Sequence, residues 1–271
     1  MPYFESKGHN LYYNKTGSGS DILLIAGMGA DHRDWALQRI FLKKHFRIIS
    51  FDNRGIGKSH GKNMGITIEE MAWNVGDLLK FINTDTVHIV GHSMGAMIAM
   101  EYAIKNPDRV ESLILSSLPD HNADGHSNVI INELNTILES GCQKNFIQKF
   151  LSYIFSSEYQ KTEQFKTLSE FMFRSHRTYN LQTIHNQLRA IKNWSQPCEI
   201  DGLVRCPCLV VYGSEDKFIS SSIKNSSLTG LFPNASFNVV RGGGHALHIE
   251  KAKEFNDMVL DFIKGSRNVR S

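Results

Sequence analysis

Five residues of this chain have types and spacing suited to nucleophilic chemistry: Gly91-His92-Ser93-Met94-Gly95. A serine hydroxyl is a weak nucleophile at neutral pH and needs a base to take its proton and donors to receive the developing charge. The pentapeptide follows the apolar run Val87-His88-Ile89-Val90 and precedes Ala96 to Ala103, which repeats apolar residues at helical spacing. Strand, sharp turn and helix with a serine at the tip expose a hydroxyl above the edge of a sheet. A serine held in a strained turn leaves no room for side chains two residues to either side, so Gly91 and Gly95 suit their places.

The base and the acid should follow later strands. The run ending at Gly213 leads into Ser214-Glu215-Asp216, and the run ending at Val240 leads into Arg241-Gly242-Gly243-Gly244-His245. Ser93, Asp216 and His245 thus stand in the chain order that a nucleophile on such a turn uses. Among twelve histidines, His245 is preferred because a glycine run delivers it to the edge that carries Ser93. His248 is its nearest rival, but it lies a turn into the next helix. Glu215 competes for the acid role, and Asp120, after an earlier strand, is a more distant candidate. The oxyanion would be held by two backbone N–H groups, that of Met94 after the nucleophile and that of Met28 in Gly27-Met28-Gly29. Deprotonation by a histidine predicts that kcat/KM falls as pH drops through the ordinary histidine range, near about 6.5.

The elements that must position these groups alternate. Residues 2–16 read as a hairpin around Lys7-Gly8-His9-Asn10, and Ile22 to Ala26 as a strand buried on both faces. Trp35 to His45 reads as a helix and Phe46 to Phe51 as a strand. Asp52-Asn53-Arg54-Gly55-Ile56-Gly57-Lys58-Ser59 imitates the end of a phosphate-binding loop, but Asp52 stands where that motif needs glycine. It reads instead as a turn-rich loop pinned by Asp52 and Arg54. Thr67-Ile68-Glu69-Glu70 is a capping-box pattern opening a helix to about Ile82. After the elbow, Asn106-Pro107-Asp108 stops the helix, and Val110 to Leu115 is a strand. From Pro119 to about Gln196 the pattern turns to helices over 127–139, 143–156, 159–175 and 180–194. The alternation then resumes with Cys208 to Gly213, a helix near 219–229, Ala235 to Val240 and a final helix over about 248–264. This order predicts an α/β protein with a mostly parallel central sheet and helices on both faces. The expected organisation is a core of residues 1–118 and 197–271 with an inserted helical lid, 119–196, at the sheet edge where ligands bind.

Composition excludes several classes. The chain has 271 residues, 41% hydrophobic and 21% charged, as in an ordinary globular protein. A formal net charge of +3 with scattered basic residues is too mild for a nucleic-acid surface. The start has no apolar core of signal-peptide length and no run suits a membrane span, so a cytoplasmic protein is expected. Cys142, Cys198, Cys206 and Cys208 include no C-x-x-C and suggest neither a disulfide framework nor a zinc site.

Together, Gly27-Met28-Gly29, the Asp52 to Ser59 loop, the Gly91 to Gly95 elbow, Gly213-Ser214-Glu215-Asp216 and Gly244-His245 resemble the α/β-hydrolase superfamily along nearly the whole chain. The resemblance implies the α/β-hydrolase fold and a serine hydrolase that cleaves a carboxylic ester through an acyl-enzyme, with no metal or organic cofactor. The D-x-R-G-x-G-x-S loop and compact lid are similar to those of small-ester hydrolases, 3-oxoadipate enol-lactonases and carboxylesterases that demethylate acyl-carrier esters. Serine at the nucleophile position argues against epoxide hydrolases and haloalkane dehalogenases, which use aspartate. Lid aromatics, among them Phe146, Phe150, Tyr153, Phe155, Tyr159, Phe165, Phe171, Phe173, Tyr179 and Trp194, favour a partly hydrophobic ester or lactone of small to medium size. The alternatives are a lactonase on the same triad, a slow receptor-like member, and an esterase for an acyl carrier protein greeted by Lys144, Lys149, Lys161, Lys166, Arg174 and Arg177. Oligomeric state is left open.

Overall fold

The computed structural model describes residues 2–60, 66–119, 126–174, 180–195, 204–219, 231–232 and 234–268. β1 (Tyr3–Ser6) and β2 (His9–Thr16) form the opening hairpin, its turn made by Lys7 and Gly8, both at positive φ. β3 (Asp21–Ile25), β4 (Arg47–Phe51), β5 (Val87–His92), β6 (Val110–Ser116), β7 (Cys208–Gly213) and β8 (Ala235–Val240) complete an eight-stranded sheet in the order β1-β2-β4-β3-β5-β6-β7-β8. From β4 to β8 every neighbouring pair is parallel, and only β2, paired antiparallel to both β1 and β4, runs against the rest. Parallel strands need cover on both faces, and β3, β5 and β7 are buried at every position. β8, at the edge, exposes Ser236 to Val239.

The helices supply that cover. α1 (Ala36–Leu42) follows β3, α2 (Ile68–Phe81) follows β4 and α3 (Met94–Lys105) follows β5. Thr67 caps α2 as the capping-box pattern requires, its hydroxyl accepting from the Glu70 N–H at 3.1 Å. α4 (His126–Glu139), α5 (Gln143–Ile154), α6 (Glu163–Arg174) and α7 (Leu181–Asn193) all lie between β6 and β7, with no strand among their described residues. α8 (Leu247–Glu250) and α9 (Ala252–Asn268) close the chain. One apolar cluster joins α2, α3 and the α4–α7 block to one side of the sheet. The other packs Trp35, Leu42, Phe255, Val259 and Ile263 against the opposite side.

Three expected helices are divided. The one over 35–45 opens as a 3-10 turn, His32–Trp35, because the Asp31 carboxylate accepts the Arg33 N–H at 2.8 Å and tightens the start. The one over 159–175 is a 3-10 turn, Tyr159–Lys161, followed by α6: Thr162 is extended and its hydroxyl takes the Phe165 N–H, which makes it a new N-cap. The last is interrupted at Lys251, whose ψ of 39° takes it out of the helical well between α8 and α9. The helix expected near 219–229 falls almost wholly outside the described residues.

Candidate active site

The elbow between β5 and α3 is strained where chemistry would use it. Ser93 sits at φ 52° and ψ −118°, a region that side chains rarely adopt. A Cβ on Gly91 would collide with the Gly95 carbonyl, and one on Gly95 with the carbonyls of Ile25 and Ala26. Only glycine therefore lets the turn close over β3. The Ser93 N–H donates to the Ser116 carbonyl of β6 at 2.9 Å, which ties the tip to the neighbouring strand.

The loops after β7 and β8 come together just as tightly. A Cβ on Gly213 would overlap the Gly243 carbonyl, so the two backbones touch there. Glu215 N–H donates to Gly243 O at 2.8 Å, and Gly242 N–H to Ser214 Oγ at 2.8 Å. This stitching sets His245 Nδ1 at 2.9 and 3.0 Å from the two Asp216 carboxylate oxygens. His245 Nε2 lies 2.9 Å from Ser93 Oγ. A carboxylate only accepts, so Nδ1 carries the ring proton and Nε2 offers its lone pair to the serine hydroxyl. Asp216 Oδ1 also accepts the Phe218 N–H at 2.9 Å, and the side chains of Asp216 and His245 are almost wholly buried. The structure thus brings Ser93, Asp216 and His245 into one line. Glu215 is exposed, and Asp120 lies outside the described residues.

His248 is buried on α8 and is engaged with other partners than Ser93. Its Nε2 pairs with Asp34 Oδ2 at 2.9 Å, and its ring packs on those of His92 and Trp35, at 4.3 and 4.7 Å between centroids. His92 Nε2 donates to the His245 carbonyl at 2.9 Å, an acceptor it shares with the Ser117 hydroxyl. Burial, together with His248 and His245 nearby, holds the His92 imidazole well below the ordinary histidine range, so it is neutral.

Ser93 and His245 open onto a cavity of about 1030 Å³, counting the space that opens to solvent. Phe150, Phe155, Leu168, Met172, Leu188 and Phe218 are among its apolar walls. Met28 also lines it, and packs against the core as a half-buried side chain. Met94 points wholly into the core, while its backbone N–H, at the first position of α3, has no partner within the helix. The positive end of the α3 dipole is aimed at the same place.

Several groups in this region give no signal in the sequence. Gln187 of α7 is fully buried and its Oε1 accepts the Gly29 N–H at 2.9 Å. Glu250 of α8 accepts from the Gly244 N–H at 3.1 Å and from the Ser156 hydroxyl at 2.5 Å, and Ala246 N–H donates to Ile154 O at 2.7 Å. Burial pushes the Glu250 carboxyl above the ordinary carboxylate range. Lys217 Nζ reaches the Ser152 carbonyl at 2.7 Å, and Trp194 Nε1 donates to Glu101 of α3 at 2.8 Å. All but the Glu250–Gly244 bond join residues far apart in the chain. A glutamate four residues past the histidine loop is the nearest thing to a clue.

Elsewhere the reading is plainer. Asp52 does pin its loop, accepting from His32 N–H and Lys58 N–H, both at 2.8 Å, while Arg54 Nε donates to Asn74 at 2.9 Å. A buried carboxylate fills the centre that a phosphate would need. Lys149, Lys161 and Lys166 each pair with a glutamate, and Lys144 is exposed. Arg177, Tyr179 and Cys198 lie outside the described residues, and Cys142 and Cys208 are free thiols. Among the described residues two groups have metal-ligand chemistry, Asp34 with His92 and His248, and Asp31 with His32 and Asp52. Hydrogen bonds of 2.9 Å (His248 to Asp34) and 2.6 Å (His32 to Asp52) already join members of each. Among the described residues no helix is long and apolar enough to cross a membrane.

Comparison with known proteins agrees with this fold. The chain is 25% identical to the "Putative carbamate hydrolase RutD" of Yersinia enterocolitica, over 96% of this chain and 91% of that one. It is 27% identical to a 2-hydroxy-6-oxononadienedioate/2-hydroxy-6-oxononatrienedioate hydrolase of Pseudomonas putida, over 94% of this chain and 91% of the other. Among solved structures, the enol-lactonase of Burkholderia xenovorans LB400 superposes with a TM-score of 0.86 at 21% identity, covering 97% of this chain and all 100% of that one. A thermophilic esterase from Thermogutta terrifontis gives a TM-score of 0.84 at 20% identity, covering 98% and 97%. A family model for the alpha/beta hydrolase fold matches residues 22–252. With the elbow, the sheet order and this match together, the chain belongs to the alpha/beta hydrolase family.

Proposed function

We propose that this protein is a serine hydrolase that cleaves a carboxylic ester of small to medium, partly hydrophobic substrates through an acyl-enzyme. The observation that carries the reading is the line Ser93 Oγ, His245 Nε2, His245 Nδ1, Asp216, with steps of 2.9 Å, at the wall of an apolar cavity. His245 takes the Ser93 proton as Oγ attacks the carbonyl carbon. The N–H groups of Met28 and Met94 receive the oxyanion, and Asp216 orients the imidazole and stabilises the histidinium. His245 then gives its proton to the leaving alcohol. Water repeats the sequence on the acyl-enzyme, with His245 again as base, and releases the acid. No step calls for a metal or an organic cofactor.

The relatives' names, a carbamate hydrolase, a dienedioate hydrolase, an enol-lactonase and an esterase, support hydrolysis of a small molecule. We read residues 119–196 as a lid over a core of 1–118 and 197–271, because α5, α6 and α7 contribute walls to the cavity that Ser93 opens into. A carrier-protein substrate has less support, since three of the lysines that would greet it are paired with acids. The test is Ser93→Ala against a panel of p-nitrophenyl esters and lactones. The reading expects kcat to fall by at least about 10³-fold on whichever substrate the protein turns over. Undiminished turnover would overturn it.

A further inference from the structure

The Gly27-Met28-Gly29 loop has a support that comes from far away in the chain. The Ala30 N–H donates to Gly27 O at 3.3 Å, so residues 27–30 form a tight turn, and Gly29 holds φ at 72°. In such a turn the middle peptide, Met28 to Gly29, is the soft part, because it can rotate while the ends stay in place. Its N–H is held here by Gln187 Oε1 at 2.9 Å, across 158 residues of sequence. Gln187 stands on α7, whose Leu188 and Ile191 line the same cavity.

Gln187 is not an economical filler for that place. It is fully buried, and among the described residues its Nε2 has no acceptor. Burying an amide with one end unmatched costs stability that leucine or methionine would spare. What the glutamine adds is one acceptor, spent on the loop that carries Met28.

We propose that Gln187 is a positioning residue for the oxyanion hole. By fixing the Met28–Gly29 peptide it keeps the adjoining Met28 N–H aimed at the space above Ser93, so that α7 sets the geometry of the donor as well as the cavity wall. This rests on the acyl-enzyme reading. A donor that matters only once the charge has developed affects kcat and leaves ground-state binding alone.

The experiment uses the full chain with Gln187→Met and Gln187→Leu, both apolar and close in volume. Rates are normalised to active sites titrated with a fluorophosphonate, so that molecules that fail to fold do not count. Ile184→Ala, a buried position about one turn earlier on the same helix, controls for loosening of α7. The expected result is a fall in kcat of about 10- to 100-fold, the range for a weakened oxyanion donor, with KM within about twofold. Binding of a trifluoromethyl ketone, which mimics the tetrahedral oxyanion, should weaken by the same factor. Unchanged kcat, a rise in KM at constant kcat, or an equal loss in Ile184→Ala would overturn the assignment. Ser93→Ala separates the two claims. If it keeps full turnover, the acyl-enzyme reading fails; if it is inactive while Gln187→Met matches the unaltered protein, only the role of Gln187 fails.

Discussion

Ser93 holds its backbone at φ 52° because two glycines and a bond to Ser116 leave it no alternative. That strain is useful only if the groups around the hydroxyl are aimed at it, and residue-scale changes test the aim. Asp216→Asn keeps the volume but places an amide against His245 Nδ1, which favours the wrong tautomer. It should lower kcat by about 10³-fold or more without shifting the melting temperature much, as measured by steady-state kinetics beside thermal unfolding. His92 gives a prediction about stability. In the folded protein it stays neutral well below the ordinary histidine range, whereas in the unfolded chain it binds a proton near about pH 6.5. The unfolded state therefore takes up protons first, and stability is lost as pH falls through that value. His92→Gln, whose amide can still donate to the His245 carbonyl, should lose about 1 kcal/mol less between pH 7 and pH 5.5 in urea titrations. Equal slopes in the two proteins would contradict this. The juxtaposition of Ser93, Asp216 and His245 was legible in the sequence because each follows the end of a strand within three residues of a glycine. His92, His248 and Asp34 were not, since a ring stack between distant residues has no local signature.

At the scale of elements, the parallel strands and the elbow could be read because apolar runs bounded by glycine report burial on both faces. Helix ends were harder to place. Thr67 follows a known capping pattern, but Thr162 caps α6 inside what looks like one continuous helix, and Lys251 separates α8 from α9 with nothing nearby to signal it. The contacts between elements were invisible, and Glu250 is the example with most consequence. It clasps Gly244, beside the histidine, to Ser156 of the chain after α5. Glu250→Ala removes an acceptor shared by buried donors and should lower the melting temperature by about 4 °C, with a fall in kcat as the His245 loop relaxes. A variant as stable and active as the original would show that the clasp contributes nothing. Gly95→Ala makes a sharper claim about the elbow. The added methyl meets the Ile25 carbonyl, so β3 and α3 must part and hydrolase activity should disappear even in molecules that stay folded by circular dichroism.

For the whole molecule, the family follows from motifs spread between Gly27 and His245. The cavity could not be read in advance. Its walls come from the loop after β3, the elbow, α4 to α7, the loop after β7 and the loop from β8 into α8, so no single stretch describes its shape. Aromatic residues in the α4–α7 block gave a hint that the structure sorts out: Phe150 and Phe155 face the cavity, Phe146 is buried against Phe150, and Phe171 and Phe173 are exposed. A chamber with such walls should prefer p-nitrophenyl esters of medium acyl length to acetate, through lower KM, and a flat dependence on chain length would contradict that. The central claim is that catalysis passes through an acyl group on Ser93. Rapid quenching of the protein with excess p-nitrophenyl butyrate, followed by mass analysis of its peptides, tests it most directly. The account predicts a burst of p-nitrophenol and a butyryl group on the peptide that contains Ser93, both lost in Ser93→Ala. Turnover with no acyl group on that peptide, or a burst that survives the substitution, would contradict it.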